Sequence, residues 1–410
     1  MKRRPVLSSL PLALAIAAMA IAPALRAEPA AVPLPPDFNI MASVQYAHAE
    51  IYYHTPAGIT PVLANTRGIA PGQRMDLLVI VYRYAQDSAG RADVTYDLVV
   101  HNPNGGTQAR AGNVVAPKGA VRPHQILFPR AITAFVTGPA DPFGDYRCEV
   151  TVHDGISGLS ATKSAVVRVA DSNRPLPLPE KFDASDWLAQ YYLRPEPRLA
   201  LPALEAVSKN DAIMQKGVPG MGALLGFYSQ VLADNPWLLP WFKQWLVAAE
   251  EGNARHLLAL VLAYAERSQP GMNADLPTHS RIVLAAAARE LFPAPSATPE
   301  NGAQLDALWG QFFASGKFAP INSLVGVVGA YLPYQGKIDE FRQQAHPGEK
   351  PPPEVVKSAL LSAALWSLRL NAYQHKLVHD YLLYLQQLPA TAPPVKATLG
   401  AILAWKPGKL

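Results

Sequence analysis

The sequence predicts a chain of two structural kinds, an N-terminal β-sandwich followed by an α-helical repeat-like bundle or short solenoid. Three observations carry this. Residues 38–171 hold short runs rich in Val, Ile, Tyr and Phe, separated by Gly/Pro/Asn/Asp clusters. Residues 172–182 are Pro-rich, with Pro175, Pro177 and Pro179 in alternation, which suits an extended spacer and neither a helix nor a strand. From residue 183 to 405 the apolar period becomes helical.

The first element is not part of the fold. Met1 to Ala31 reads as a basic start (Lys2, Arg3, Arg4), an apolar run and a small-residue end, the pattern of a secretory signal peptide spanning 1–27. Cleavage is expected after Ala27 or Ala24. The competing reading, a retained anchor, is weakened by Pro11 and Pro23 within the run. Residues 28–37 then form a Pro-rich lead-in. The leader holds Lys2, Arg3, Arg4 and Arg26 and no acid, so 32 of the 36 basic residues remain against 31 acidic ones. A mature balance of +1 gives no reason to expect nucleic acid as a partner. The single cysteine, Cys148, excludes an intrachain disulfide. No later run approaches the roughly 18 uninterrupted apolar residues of a membrane span, so the mature chain is expected not to be an integral membrane protein.

The strands are expected in MASVQYAHAEIYY, MDLLVIVYRY, VTYDLVVH, ILFPRAITAFV, YRCEVTVHD and SAVVRVA. In the fifth, Arg147, Glu149, Thr151 and His153 alternate with Cys148, Val150 and Val152. That period of two places one face in a core and the other in water. The stretch Asp141-Pro142-Phe143-Gly144-Asp145-Tyr146-Arg147-Cys148 resembles the start of strand F in immunoglobulin-like domains, where a Tyr two residues before a Cys makes a tyrosine corner. The resemblance implies a generic Ig-like module of the bacterial kind over about residues 38–171. The partner Cys and the strand-C Trp of antibody domains are missing, so Cys148 is expected to be a plain core residue.

Helices are expected at about 184–192, 201–209, 220–233, 236–250, 253–268, 278–291, 302–314, 318–332, 354–371 and 373–388. Asp183, Asn301 and the Asn235-Pro236 pair supply starts. From Val355 to Leu370 apolar residues, Trp366 among them, fall on every face, which predicts a helix enclosed by others. The next helix is one-sided, with Val378, Tyr381, Leu382 and Leu385 inward and Lys376, Asp380 and Gln387 outward. FYSQVLADN at 227–235 aligns with LWGQFFASG at 308–316 at an offset of 81, and LLALVLAYAER at 257–267 resembles LLSAALWSLRL at 360–370. These read as duplicated helical pairs. LDALWGQFFASGKFAPINSLV is similar to segments of uncharacterised exported bacterial proteins, a likeness that implies no activity.

Few residues suggest chemistry. His375 and His379 are four apart, a spacing that can place two imidazoles on one metal. Lys376 stands where a zincin has its general-base Glu, and the competing reading is a pair of histidines at a helix seam. No G-x-S-x-G occurs. Ser160-Ala161-Thr162-Lys163 matches S-x-x-K but falls at an expected hairpin, not at a helix start. Glu250-Glu251, Asp306 and Asp339-Glu340 are the main acids for a polysaccharide hydrolase or lyase, each equally a solvated helix end. Trp237, Trp241 and Trp245 recur every fourth residue. They read as a core-facing stripe or as a ligand or partner surface, with Tyr191, Tyr192, Tyr331 and Tyr334 as further lining. No catalytic residue and no cofactor is assigned. The expectation is an exported, periplasmic or secreted, binding or scaffold protein whose helical surface meets an envelope protein, peptide or glycan.

Overall fold

The computed structural model describes residues 33–407 except 45–46, 117–118, 122–125, 129–132, 139, 294–297 and 347–348. The expected signal peptide and the first half of the lead-in lie outside the described residues. The chain comprises an N-terminal β region and a C-terminal helical region, and Pro35–Leu410 form one compact unit.

The strands are β1 (Asp37–Ser43), β2 (Gly68–Ile69), β3 (Arg74–Arg83), β4 (Arg91–Ala92), β5 (Val94–His101), β6 (Thr107–Val115), β7 (Gly119–Ala120), β8 (Thr133–Val136), β9 (Gly144–Asp154) and β10 (Leu159–Val169). One sheet has the order β1-β3-β8, the other β2-β10-β9-β5-β6, and β4 and β7 form a small ribbon. The alternation read in the sequence sets the faces. Tyr146, Cys148, Val150 and Val152 are buried in a core shared with Phe38, Met75 and Leu77 of the first sheet, and Arg147 and Glu149 face outward. The DGISG cluster makes the β9–β10 turn. Asp154 accepts the Ile156 and Ser157 backbone N–H groups, and Gly158 takes φ +71°, a region that suits glycine. Tyr146 donates its hydroxyl hydrogen to Pro142 O at 2.6 Å, four residues upstream.

Two strand expectations change. MASVQYAHAEIYY divides into β1 and a helix, α1 (His48–Tyr53). Its Ala47 and Ile51 are buried among helical-region residues rather than in the β core, so burial on a helical period overrides β propensity there. Among the described residues of ILFPRAITAFV, 133–136 form a strand and Leu127 makes a single bridge to Val81. The strand β6 was not expected, because TQARAGNVV has a mostly polar first half.

The helical region contains α2 (Ala184–Gln190), α3 (Ala200–Ser208), α4 (Asp211–Met214), α5 (Gly222–Asp234), α6 (Leu239–Ala248), α7 (Asn253–Ser268), α8 (Thr278–Glu290), α9 (Gly302–Ser315), α10 (Phe318–Tyr331), α11 (Lys337–Gln344), α12 (Pro353–Gln374), α13 (Lys376–Gln387) and α14 (Pro393–Ala404). Asp183 and Asn301 accept hydrogen bonds at the starts of α2 and α9 as expected. The additions are α4, α11 and α14. One core forms around α5, α7 and α8, and a second around α9, α10, α12, α13 and α14.

The two cores meet where α5 crosses α9. A Cβ on Gly222 would collide with Ala303 O, one on Gly226 with Ala307 O, and one on Gly310 with Ala223 O. The contacts advance in the same direction along both helices, so α5 and α9 run parallel, with backbone against backbone. Residues 172–182 carry no helix or strand, and Leu176 N–H donates to Arg198 O at 3.0 Å. Beyond this segment, α1 joins the β region to the helices. Glu50 accepts the Phe318 N–H at 2.8 Å, at the start of α10. The His54 ring stacks on Phe318 at 3.8 Å, with the Tyr384 ring edge-on at 5.0 Å.

Candidate functional site

The longest helix, α12, carries the site that stands out. Leu361, Ala364 and Leu368 are buried in the second core, as the apolar sequence requires. The enclosure expected on every side is not complete. Trp366 is 67% exposed and Tyr373, seven residues on and therefore on the same face, is 61% exposed. Ala363, one turn before Trp366, is exposed, and Ala359 and Leu370 are half-buried. The Trp405 ring meets Tyr373 edge-on at 6.3 Å, extending the surface past the end of α14. The helix is apolar all round because it serves a core on one side and an open aromatic face on the other. Such a face gives large, stiff contact area at low entropic cost, which suits recognition of a protein, peptide or sugar ring.

The tryptophans singled out by their spacing lie elsewhere. Trp237 is on a short 3-10 turn, and Trp241 and Trp245 are on α6; all three are half-buried. The line that faces the core is Leu238, Phe242 and Leu246, one residue on from each. Trp237 packs on the β region, its Cβ 3.5 Å from the place a Cβ on Gly72 would take. Trp245 lines a cleft of about 420 Å³ together with Glu205, Lys209, Glu250, Glu251 and Asn253. This cleft joins one expected aromatic with the expected acidic pair. Both acids are exposed, and Glu205 is tied to Lys209 at 3.0 Å. Asp306 is exposed beside the α5–α9 crossing. Asp339 and Glu340 pair with Arg342 and Lys337 on the surface. Tyr191 and Tyr192 are buried rather than surface-lining, and Tyr331 and Tyr334 are half-buried with Lys357 over the Tyr334 ring.

His375 and His379 do not share a helix face. His375 is the extended residue between α12 and α13, with φ −121° and ψ +108°. It is buried, with Nδ1 3.2 Å from the Tyr192 hydroxyl and the Phe313 ring beside it. Burial lowers its pKa below the ordinary value of 6.5. His379 is nearly half exposed, and its Nδ1 lies 3.6 Å from Asp380. Asp380, expected outward, is buried and holds Lys376, which also reaches Thr60 O. A buried carboxylate is kept where a cation compensates it. Among the described residues, no group of three or more His, Cys, Asp or Glu is placed to hold a metal ion.

Ser160 and Lys163 part company. Lys163 reaches Asp37 at 2.6 Å and Phe38 O at 2.8 Å, whereas Ser160 bonds His153 at 2.9 Å. The exposure of Trp366 and the association of Asp97, His153 and Ser160 were not read from the sequence. The signal for the first was present, since Trp366 falls on a helix whose apolar residues are spread over every face.

No family model and no curated protein matches this chain. Similar solved structures include a family 123 glycoside hydrolase from Clostridium perfringens, studied for glycolipid glycan hydrolysis. It is 12% identical over 42% of this chain and 35% of that one, with a TM-score of 0.19. Another is a Salmonella alpha-2-macroglobulin reacted with methylamine, 13% identical over 82% of this chain and 25% of that one, with a TM-score of 0.14. The chain thus spans about a third and a quarter of their lengths, and likenesses at this level bear on neither fold nor activity. Among the described residues, no helix is long and apolar enough to cross a membrane.

Proposed function

We propose that this is an exported binding or scaffold protein of the bacterial cell envelope, periplasmic or secreted, which meets an envelope protein, peptide or glycan through its helical region. The observation that carries this is the open aromatic face of α12, with Trp366 and Tyr373 each more than half exposed. Apolar area of this kind, left in water, is characteristic of contact surfaces. The leader-like start of the sequence supports export. An Ig-like sandwich is supported by the strand orders β1-β3-β8 and β2-β10-β9-β5-β6, and by the Tyr146–Pro142 bond at the corner before β9. Duplication of the helical unit is supported by the α5–α9 crossing. Its contacts Gly222–Ala303 and Gly226–Ala307 join positions that the 81-residue offset makes equivalent. The test is a pull-down from envelope extract with the mature chain and a Trp366→Ser/Tyr373→Ser double variant. The variant keeps the wild-type melting temperature and loses the captured species. Capture unchanged by the two substitutions would refute this contact face.

A second reading, a hydrolase or lyase for envelope or extracellular polysaccharide, draws on the cleft where Trp245 stands with Glu250 and Glu251. Release of reducing ends from envelope glycans, abolished by Glu250→Gln or Glu251→Gln, would establish it.

A further inference from the structure

Three polar side chains from three strands form a hydrogen-bonded chain on the outer face of the five-stranded sheet. Ser160 of β10 and His153 of β9 are direct cross-strand partners, and Ser160 Oγ lies 2.9 Å from His153 Nδ1. The other ring nitrogen, Nε2, lies 3.0 Å from Asp97 Oδ2 on β5. The second carboxylate oxygen, Oδ1, accepts the Asn113 backbone N–H at 2.7 Å.

Asn113 has φ +51° and is the one non-glycine residue with positive φ among the described residues. It sits where β6 slips against β5: Tyr96 faces Val114 and Leu98 faces Ala111, so Gly112 and Asn113 together oppose Asp97. This is a bulge, a device that re-aims groups at the edge of a sheet. Here it turns a backbone N–H onto the carboxylate. Residues held in such conformations concentrate at functional sites.

The Asn113 N–H, and after it the His153 contact, hold the Asp97 carboxyl below the usual carboxylate range. An ionised Asp97 accepts Nε2–H, which leaves Nδ1 bare to accept the Ser160 hydroxyl proton. The neighbouring pair on the same face, Thr151 and Thr162 at 2.9 Å, shows what a plain polar ladder looks like there. It has no base and no acid. The Ser160 pair has both, and it opens into a cleft of about 360 Å³ whose walls include Asp93, Thr95, Asn113, His153 and Ser160.

We propose that Asp97, His153 and Ser160 form an acyl-transfer site, with Ser160 as nucleophile, His153 as base and Asp97 as its positioning residue. The roles are those of a Ser-His-Asp triad with the two ring nitrogens exchanged, Nδ1 facing the serine and Nε2 the carboxylate. The substrate class is an ester with neutral or cationic parts, because no Lys or Arg is among the residues lining the cleft and Asp93 is. Ser160 Oγ attacks the ester carbonyl carbon as its proton passes to His153 Nδ1. The bond to the alcohol oxygen breaks, and that oxygen takes the proton from Nδ1. Water then attacks the acyl-Ser160 ester, gives a proton to Nδ1, and releases the acid as Ser160 regains its hydrogen. Thr95 and Asn113 line the same cleft, and a hydroxyl and a carboxamide can each donate to the carbonyl oxygen. The site is on the β region and independent of the α12 face.

The test uses the whole mature chain with p-nitrophenyl acetate, and separately with a fluorophosphonate probe whose adduct is mapped by peptide mass spectrometry. The expected results are a nitrophenol burst near one equivalent and an adduct on Ser160. Ser160→Ala abolishes the adduct and lowers turnover on the order of 100-fold. Asp97→Asn lowers kcat per active site, with sites counted by the nitrophenol burst so that any unfolded fraction drops out, an outcome that loss of structure alone would not give. All three side chains are at the surface, so melting curves should match wild type. An adduct mapping elsewhere, or turnover unchanged in folded Ser160→Ala, would overturn the proposal.

Discussion

Cys148 lies between Val100 and Ala165 of the flanking strands and has no exposed surface. Burial pushes its thiol up to about 11, so almost no thiolate exists at pH 8. A thiol reagent should label the native chain slowly at pH 8 and rapidly in denaturant. Cys148→Ala should cost about 1–2 kcal/mol through lost packing. Fast native labelling would show an accessible, activated thiol instead.

Aromatic spacing was legible in residues 237–245, but the choice of face was not. Trp237, Trp241 and Trp245 form one line, and Leu238, Phe242 and Leu246 another about 100° away around the helix. Both lines are apolar, so only the shape of the neighbouring core decides between them. Phe242→Ala is therefore expected to cost roughly 3–5 kcal/mol in a denaturant melt, and Trp241→Ala less than about 2 kcal/mol. The reverse order would place the tryptophans in the core. Asp97, His153 and Ser160 were hidden for a different reason. They sit on three strands, and Asp97 is 56 residues from His153, so their association depends on strand pairing that no local pattern reveals.

His375 carries a pH dependence whose sign follows from burial. Its folded pKa is below the ordinary 6.5, so between the two values the unfolded chain binds the proton and the folded one does not. Stability from this group is present above about 6.5 and is lost as pH falls towards the folded value. The melting temperature of wild type should drop more between pH 7.5 and 5.5 than that of His375→Asn. Equal slopes would mean that the imidazole is reached by water.

At the scale of elements, period two in β9 and the apolar period in α7, α9 and α10 were enough to place them. The α1 helix was not, because Ala, Ile and Tyr serve either state and its docking partner is more than 250 residues away, as the Glu50–Phe318 bond shows. The glycines of α5 and α9 looked like ordinary helix residues of low propensity. Their role appears only where the backbones touch. Gly226→Ala and Gly310→Ala each put a methyl onto a carbonyl oxygen of the facing helix. Each should destabilise by at least the roughly 1–3 kcal/mol typical of overpacking. Gly302→Ala meets nothing within 4 Å and should stay within about 0.5 kcal/mol of wild type. A uniform response of the three variants in thermal melts would remove the close crossing.

At the scale of the molecule, the Pro-rich 172–182 segment separates two textures, but α1 carries β-region chain into the second helical core. Limited digestion should cut within 172–182, and the two pieces should co-elute until denaturant breaks the Ile51 and His54 contacts. Pieces that separate at once under native conditions would contradict that role for α1. The division into strands and helices was legible because each has its own apolar period. The functional surface was less so, because an outward Trp on an apolar helix has the same sequence as an inward one.

The most direct measurement places a photo-crosslinking amino acid at Trp366, at Tyr373 and, as an equally exposed control on α8, at Ile282. The chain is then irradiated in living cells that express it. A discrete higher-mass adduct from positions 366 and 373, with none from 282, is the result expected if α12 is the contact face. No adduct at 366, or the same adducts from all three positions, would contradict it.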